Sequence, residues 1–217
     1  MLELALKLLV SYLLGSLMGA LILGYLRGVD IRLLGSGNAG GTNALRTQGK
    51  WFALGVVLID VAKGWLVVAV LANWAFPAIQ NDPNLPRDGL IFGCAIAATL
   101  GHVYPVWWEF RGGKGAATLI GVLLGAVPTA LPWVLAVWLC AVILSGYVGL
   151  STMLAVGVLP LVLWLQGVDS LNARLFAVLM ALFVTYTHRS NIQRMRDGTE
   201  SRARSLWIRS YFGSGGN

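Results

Sequence analysis

Fifty-four consecutive residues, from Gly115 to Val168, carry no charged side chain. Soluble domains have about 25% charged residues, whereas this 217-residue chain has 12%, with 57% hydrophobic residues and a mean hydropathy of +0.74. Such a chain cannot cover a globular surface with water-compatible side chains, and the same composition excludes disorder. Because apolar runs of about 20 residues cross a bilayer as helices, the sequence predicts an all-α integral membrane protein.

The apolar runs predict the number of membrane helices. Outside the uncharged stretch there are four of them: Leu8–Leu26, Trp51–Ile79, Gly89–Trp108 and Leu175–Thr187, the last extending backward if Arg174 lies at the interface. Inside the stretch, turn-forming residues at 127–132 and 145–152 predict three short helices. We therefore predict seven transmembrane helices in residues 1–200, or five if the segment before the first break is re-entrant. Residues 201–217 are predicted to be a basic tail that is disordered or derived from a linker.

Basic residues are distributed unequally between the two sides of the predicted bundle. One side receives loops 27–50, 109–114 and 145–152 and the tail, and it carries twelve of them: Arg27, Arg32, Arg46, Lys50, Arg111, Lys114, Arg189, Arg194, Arg196, Arg202, Arg204 and Arg209. The other side carries Lys7, Arg87 and Arg174. Since loops rich in Lys and Arg stay in the cytoplasm, we predict an external N-terminus and a cytoplasmic C-terminus.

Two opposite charges, Asp60 and Lys63, fall inside the second apolar run. An unpaired charge near mid-membrane costs roughly 3 kcal/mol or more. Residues three apart share a helix face, so the two side chains can pair with each other. We interpret them as a structural ion pair within the bundle; a direct role with a substrate is the alternative.

The first polar cluster is a run of nine small or amide residues, Gly35–Asn43, followed by Arg46. Its glycines leave backbone N–H groups free to surround an anion, and its hydroxyls and amides add donors. A flexible connecting loop is the alternative, but such loops seldom combine two Asn, Ser, Thr and a nearby Arg. The cluster therefore indicates an anion site.

The second cluster runs from Gly101 to Pro105 and on to Gly-Gly-Lys-Gly at 112–115, before a helix that contains Thr118. It is not a Walker A loop, because Trp108 and Gly115 stand where that motif needs Gly and Ser or Thr. A glycine-rich turn with a lysine at a helix N-terminus still favours phosphate, through N–H donors, helix dipole and positive charge. Ordinary cytoplasmic anchoring by basic residues is the alternative.

The third cluster is His188–Arg194, with Gly198 and Glu200 beyond it. If the last membrane helix continues through it, His188 and Asn191 share one face at i, i+3 spacing. All three clusters fall on the side that the basic residues assign to the cytoplasm. Together they indicate a phosphate- or phosphoester-binding site at the inner membrane surface.

These motifs resemble one known family. Ser-Gly-Asn-x-Gly-x-Thr-Asn-x-x-Arg at 36–46, Gly-His-x-x-Pro with Gly-Gly-Lys-Gly-x-Ala-Thr at 101–118, and His-Arg-x-Asn-Ile-x-Arg with Gly-x-Glu at 188–200 are similar to the bacterial acyl-phosphate:glycerol-3-phosphate acyltransferases, the PlsY family. The Asp60-x-x-Lys63-Gly64 pattern also resembles it. The likeness covers about residues 8–200.

The resemblance implies transfer of a fatty acyl group from acyl phosphate to the sn-1 hydroxyl of glycerol 3-phosphate, the first step of phospholipid synthesis. It also implies seven helices, a bacterial inner membrane location with a periplasmic N-terminus, an active site on the cytoplasmic face, and coupling to an enzyme that makes acyl phosphate. The catalytic residues it implies are Ser36, Arg46, Lys114, His188, Asn191 and Glu200. The substrate-binding residues are Asn38, Gly40, Thr42, Asn43, Gly112, Gly113 and Ser151.

The sequence departs from the family pattern at Gly149. The family tends to have Tyr-Val-Ser-Leu-x-Ser where this chain has Tyr-Val-Gly-Leu-Ser-Thr at 147–152, so one hydroxyl that could touch a phosphate is missing. Ser151 and Thr152 are the hydroxyls nearest to that position in the sequence.

The expected chemistry needs no metal or cofactor, and we expect no nucleic-acid partner. Acyl phosphate is already activated, Cys94 and Cys140 lie in apolar runs, and the sequence has no metal-ligand spacing. The His-x4-Asp pair of acyltransferases that use soluble donors is absent, since Trp107 and Gln193 stand at the corresponding positions. Acyl-CoA is thus a disfavoured donor.

Two other classes of protein, a transporter and a non-catalytic scaffold, are alternatives to the enzyme. A transporter of phosphate or an organophosphate is the main alternative, but it should place its polar groups at mid-membrane on discontinuous helices. A non-catalytic helical scaffold would not need three phosphate-type clusters on one face.

Overall fold

The structure is a computed structural model that describes residues 1–76, 82–208 and 210. Within these ranges every regular element is helical, as predicted. The chain divides into two compact units, Met1–Pro128 and Thr129–Asn217. The predictions for Arg209, for the end of the Trp51–Ile79 run at 77–79 and for the last residues, 213–217, lie outside the described residues.

The described residues of the first unit form six α-helices: α1 (Leu2–Gly15), α2 (Gly19–Leu26), α3 (Gly41–Gln48), α4 (Lys50–Trp65), α5 (Arg87–Val103) and α6 (Ala116–Ala126). A π-helical turn and a 3₁₀ turn extend α4 to Asn73. α1 packs on α5, and α4 packs on α6. The second contact is close because a Cβ on Gly64 or Gly121 would meet the backbone carbonyl of Thr118 or Val61. Small residues permit this approach between apolar helices.

In the part of the second unit that the structure describes there are five α-helices: α7 (Leu131–Ser145), α8 (Val148–Gly157), α9 (Leu159–Leu165), α10 (Leu171–Thr187) and α11 (Arg189–Arg196). The predicted breaks at 127–132 and 145–152 are confirmed by the ends of α6, α7 and α8. The last apolar run does extend backward, to Leu171, where the Ser170 side chain accepts the Ala173 N–H and caps α10.

Three helical stretches of the described chain are long and apolar enough to cross a membrane: Lys50–Asn73, Arg87–Trp108 and Val148–Leu165. Two bent pairs, α1 with α2 and α10 with α11, pass the same test when each pair is taken as one span, which raises the number to five. α6 and α7 are apolar but shorter. The seven-span count stays a prediction.

The first membrane segment is broken, so the predicted continuous helix Leu8–Leu26 is wrong. It begins earlier, at Leu2, and bends by 45° between α1 and α2. The earlier start buries Lys7, whose Nζ lies 3.0 Å from Glu3 Oε1 and donates to the Ala72 carbonyl. Arg87 approaches the same Glu3 oxygen at 2.7 Å. The interruption between α1 and α2 leaves backbone N–H and C=O groups without partners inside a helix.

The predicted ion pair between Asp60 and Lys63 is confirmed, and it forms hydrogen bonds with the backbone between α1 and α2. Lys63 Nζ lies 2.9 Å from Asp60 Oδ1, and both side chains are buried. Lys63 also donates to the Leu17 carbonyl, while Asp60 accepts the Gly19 N–H. Unsatisfied backbone groups are costly where water is absent, so the pair stabilises the bend as well as neutralising two buried charges.

Candidate functional site

The glycine-rich loop before α3 is organised by Asn43. The Asn43 side chain accepts the Ser36 N–H and donates to the carbonyls of Ile31 and Leu34, at 2.9–3.0 Å. Asn43 is 1% exposed. Both of its N–H donors are therefore used within the protein, which favours a role in shaping the loop over direct contact with a ligand.

The start of α3 presents an uncapped helix end. Gly40 is the N-cap residue, and neither a side-chain cap nor an acidic residue lies in the first turn. The Asn38 amide packs beside Gly40, where a Cβ would lie 2.7 Å from Asn38 Nδ2. Thr42 is in the first turn, Arg46 in the last, and Ser36 is exposed in the loop. Backbone N–H groups at such an end attract anions.

Arg32 links this loop to the second cluster, a function that the sequence analysis missed. Its guanidinium donates to the carbonyls of Trp108 (3.0 Å) and Arg111 (3.4 Å), while Asp30 Oδ2 accepts from Nη2 at 2.7 Å. The Arg32 guanidinium holds the pKa of Asp30 below its usual range. Trp108 also packs on the cluster that includes Ile31 and other buried residues beside the loop. The available signal was an Asp-x-Arg pair directly before the glycine-rich run.

Gly112 and Gly113 lie against His102 of α5. The Gly112 N–H donates to the Val103 carbonyl, and the Gly113 N–H donates to the His102 carbonyl. A Cβ on Gly113 would collide with the His102 ring. The carbonyls at the end of α5 use these two N–H groups, so contact of Gly112 and Gly113 with a phosphate stays a prediction. The glycines are needed for close packing on His102.

Lys114 follows this packed loop and stands next to the start of α6. Gly115, in the left-handed conformation with φ +91°, is the N-cap residue, and the first turn has neither a side-chain cap nor an acidic residue. The lysine therefore directly precedes the N-cap residue, at the positive end of the helix dipole. An anion bound here would interact favourably with both.

The third cluster begins at a bend rather than on a continuous helix, so that prediction is wrong. His188 ends α10, and the axis turns by 51° into α11. His188 Nδ1 lies 2.8 Å from the Val184 carbonyl. Because a carbonyl oxygen accepts, Nδ1 carries the proton in this contact, and Nε2 of the neutral ring is the acceptor nitrogen.

Beyond the bend, Glu200 folds back onto α11. Asn191 Nδ2 donates to Glu200 Oε1 at 2.7 Å, and Arg194 Nε donates to Oε2 at 2.6 Å. Asn191 and Glu200 are both buried. Each carboxylate oxygen therefore has a donor, and Glu200 fixes the orientation of the Asn191 amide.

The packing of α8 on α11 gives a physical reason for Gly149. A Cβ at this position would lie 2.7 Å from Asn191 Nδ2 and 2.8 Å from Asn191 Cγ. The Asn191 side chain thus occupies the space that a serine would need. Two residues on, Ser151 is fully buried and its hydroxyl donates to the Tyr147 carbonyl at 2.8 Å.

The structure brings the predicted residues together in two groups. Within the first unit, Arg32 joins the loop of Ser36, Asn38, Gly40, Thr42, Asn43 and Arg46 to the loop of Gly112, Gly113 and Lys114. Within the second unit, Ser151 and His188 lie on elements that pack with those of Asn191 and Glu200. Convergence of the two groups on one site stays a prediction.

Fold and sequence together define an all-helical integral membrane protein with polar, basic loops between its helices. Residues 5–198 match the model of the glycerol-3-phosphate acyltransferase family. The chain is 44% identical over 193 residues to the glycerol-3-phosphate acyltransferase of Sinorhizobium fredii, covering 88% of each chain. It is 37% identical over 228 residues to that of Chlorobium limicola, covering 93% of this chain and 97% of the relative.

A solved structure is also similar, that of PlsY (YgiH), an integral membrane glycerol 3-phosphate acyltransferase, in its glycerol 3-phosphate form. It has a TM-score of 0.81 and 32% identity, covering 92% of this chain and 94% of the other. The form with lysophosphatidic acid has a TM-score of 0.79 and 31% identity. The chain belongs to the glycerol-3-phosphate acyltransferase family, and the predicted resemblance to PlsY is confirmed.

Proposed function

We propose that this protein transfers a fatty acyl group from acyl phosphate to the sn-1 hydroxyl of glycerol 3-phosphate, releasing lysophosphatidic acid and inorganic phosphate. The observation that carries the proposal is the pairing of two electropositive loops through Arg32: the uncapped start of α3, and Lys114 beside the uncapped start of α6. A substrate pair with two phosphate groups suits two adjacent anion sites. The names of the relatives support glycerol 3-phosphate as the acceptor.

The reaction needs positioning and charge stabilisation more than a new reactive group. The acceptor hydroxyl oxygen attacks the acyl carbon, the bond from that carbon to the phosphate oxygen breaks, and the hydroxyl proton passes to the leaving phosphate. Lys114 and Arg46 stabilise the charge on the phosphates, and Ser36, Asn38 and Thr42 add donors. Gly40 supplies the open helix end, while Asn43, Gly112 and Gly113 shape the two loops.

Further roles in the proposal fall to residues of the second unit. His188 binds and orients glycerol 3-phosphate through Nε2, and Asn191 contacts substrate with its amide held by Glu200. The buried Ser151 oxygen adds a polar group near the α8 start. In this scheme residues 1–200 form the catalytic membrane domain, and an enzyme that makes acyl phosphate supplies the donor.

The donor can be tested directly with purified protein. We expect lysophosphatidic acid from glycerol 3-phosphate and palmitoyl phosphate, and no product from palmitoyl-CoA, because the site is built around anionic phosphates and lacks the His-x4-Asp pair. Product is measured by chromatography of radiolabelled glycerol 3-phosphate, with and without EDTA. Equal rates with the CoA ester would contradict the donor assignment, and uptake into vesicles without acylation would favour a transporter.

We further propose seven spans in a bacterial inner membrane, with the active site on the cytoplasmic face. The two shorter apolar helices α6 and α7, added to the five candidate spans, would make seven. The asymmetry of basic loops supports a periplasmic N-terminus.

This topology predicts which residues an impermeant maleimide reaches in intact cells. A single cysteine at Asn84, on the same side as the N-terminus, should be labelled from outside, and those at Asn38, Lys114 or Ser205 only after lysis. The background replaces Cys94 and Cys140. Labelling of intact cells at Asn38 or Lys114 would invert the model.

A further inference from the structure

The segment that follows Glu200 packs on the turn between α7 and α8. This segment, residues 201–208, is called the C-terminal strap below, and it lies beyond the 5–198 range that matches the family. The Ala203 N–H donates to the Gly146 carbonyl at 2.8 Å, and the Ile208 N–H donates to the Ile143 carbonyl at 3.0 Å. A helix leaves its last carbonyls without partners inside the helix. The strap satisfies such groups at the end of α7.

Side chains reinforce this contact. The Arg202 guanidinium lies 4.7 Å from the centre of the Tyr147 ring and 4.1 Å from the Trp207 ring. Its Nη2 also donates to the Tyr147 hydroxyl at 3.1 Å. Gly146, with φ +76°, makes room for the strap, because a Cβ there would lie 3.0 Å from Trp207 Cγ. The three side chains form one cation–π stack over the turn.

The turn under the strap begins the helix that faces the third cluster. The Tyr147 carbonyl accepts the Ser151 hydroxyl, and Gly149 contacts the Asn191 side chain. At the other end of the strap, Glu200 holds Asn191. Contacts therefore run from α8 to α11, through Glu200 into the strap, and back to Tyr147. Release of the strap would free both α8 and Glu200 to shift around Asn191.

We propose that the C-terminal strap is a positioning element of the active site, with Arg202 and Trp207 as its positioning residues. This inference rests on the proposed function, in which Asn191 contacts substrate and the buried Ser151 oxygen lies near the start of α8. In this proposal the strap does not contact either substrate. It acts instead through the start of α8 and through Glu200. Its loss therefore weakens the alignment of groups that bind glycerol 3-phosphate and leaves the phosphate-binding loops of the first unit unchanged.

The test uses the full chain in nanodiscs, with Trp207→Ala as the main variant. An exposed cation–π contact contributes enough to change an equilibrium about two- to fivefold. We expect the KM for glycerol 3-phosphate to rise by about that factor, with kcat and the KM for palmitoyl phosphate within about twofold of the unchanged protein. Trp207→Phe keeps a ring over Arg202 and should restore the original KM. Arg204→Ala, a neighbouring exposed side chain of the strap, is the matched control.

A second measurement, the rate of trypsin cleavage, detects release of the strap from the turn and does not depend on enzyme activity. Trypsin should cleave after Arg202 faster in the Trp207→Ala variant than in the unchanged protein, because the strap leaves the turn more often. A lower kcat at unchanged KM, or a Trp207→Phe variant no better than Trp207→Ala, would overturn the positioning role. Unchanged cleavage would overturn the docked strap. If the unchanged protein acylates nothing while cleavage still responds to Trp207→Ala, the proposed function fails and the positioning role fails with it, although the docking contact stands.

Discussion

Replacing Lys114 with alanine should lower kcat/KM by about 10²–10³, the usual cost of removing one preorganised group that stabilises charge in the transition state. Lys114 stands beside the N-terminal end of α6, which has neither an acidic residue nor a side-chain cap in its first turn. Its positive charge and the positive end of the α6 dipole both favour an anion. The loss should persist with either substrate saturating, because the negative charge on the leaving phosphate grows in the transition state and the lysine stabilises it most there.

A matched variant separates this effect from a general loss of positive charge. Arg111→Ala removes an exposed guanidinium from the same loop and should leave kcat/KM within about threefold, since it is the Arg111 carbonyl that binds Arg32. Lys114→Ala activity near that of Arg111→Ala would refute the role assigned to Lys114.

His188→Gln should keep measurable kcat with a raised KM for glycerol 3-phosphate, if the leaving phosphate takes the proton. A fall of about a thousandfold in kcat at unchanged KM, with a flattened acid limb of the pH–rate profile, would instead make His188 the general base.

Removing Lys63 should destabilise the protein by about 3–5 kcal/mol, the typical cost of leaving one member of a buried ion pair alone. Lys63→Met keeps the length of the side chain but deprives Asp60 of its closest partner and the Leu17 carbonyl of its donor. His102 Nδ1 lies 3.6 Å from the same Asp60 oxygen and cannot replace the hydrogen bond to Leu17. Thermal unfolding of the purified protein in detergent measures the change.

The exposed ion pair of Asp169 with Arg174 provides the control for this experiment. Asp169 is 96% exposed and pairs with Arg174 at 2.9 Å, so Asp169→Asn should change stability by no more than about 1 kcal/mol. The double variant Asp60→Asn with Lys63→Met should recover part of the loss, because no buried charge is left unpaired. If Lys63→Met proves as stable as Asp169→Asn, the pair does not hold the α1–α2 bend.

Several features of this protein are local and could be predicted from the sequence. Turn-forming residues at 127–132 and 145–152 end helices because Pro, Gly and Ser act on their own backbone. Asp60 and Lys63 pair because residues three apart on one helix always share a face. The three motifs identified the family because each is a contiguous pattern of specific residues. Composition required a membrane as the solvent.

Other features depend on partners that are distant in the sequence. The break between α1 and α2 has no proline to announce it, and it is stabilised by Asp60 and Lys63, more than forty residues away. Gly112 and Gly113 look like free phosphate-binding amides until His102 and Val103 are found to accept their hydrogen bonds.

The sequence alone thus determined the helical membrane character, the ends of several helices and the family, since periodicity, hydropathy and contiguous motifs act over a few residues. The tertiary structure decided which polar groups hold the fold and which can face a substrate. That choice belongs to side chains such as Arg32, Asn43 and Glu200, whose hydrogen bonds exist only once separate segments have packed together. A buried polar group is stable only with a partner, and the linear order of residues does not name that partner.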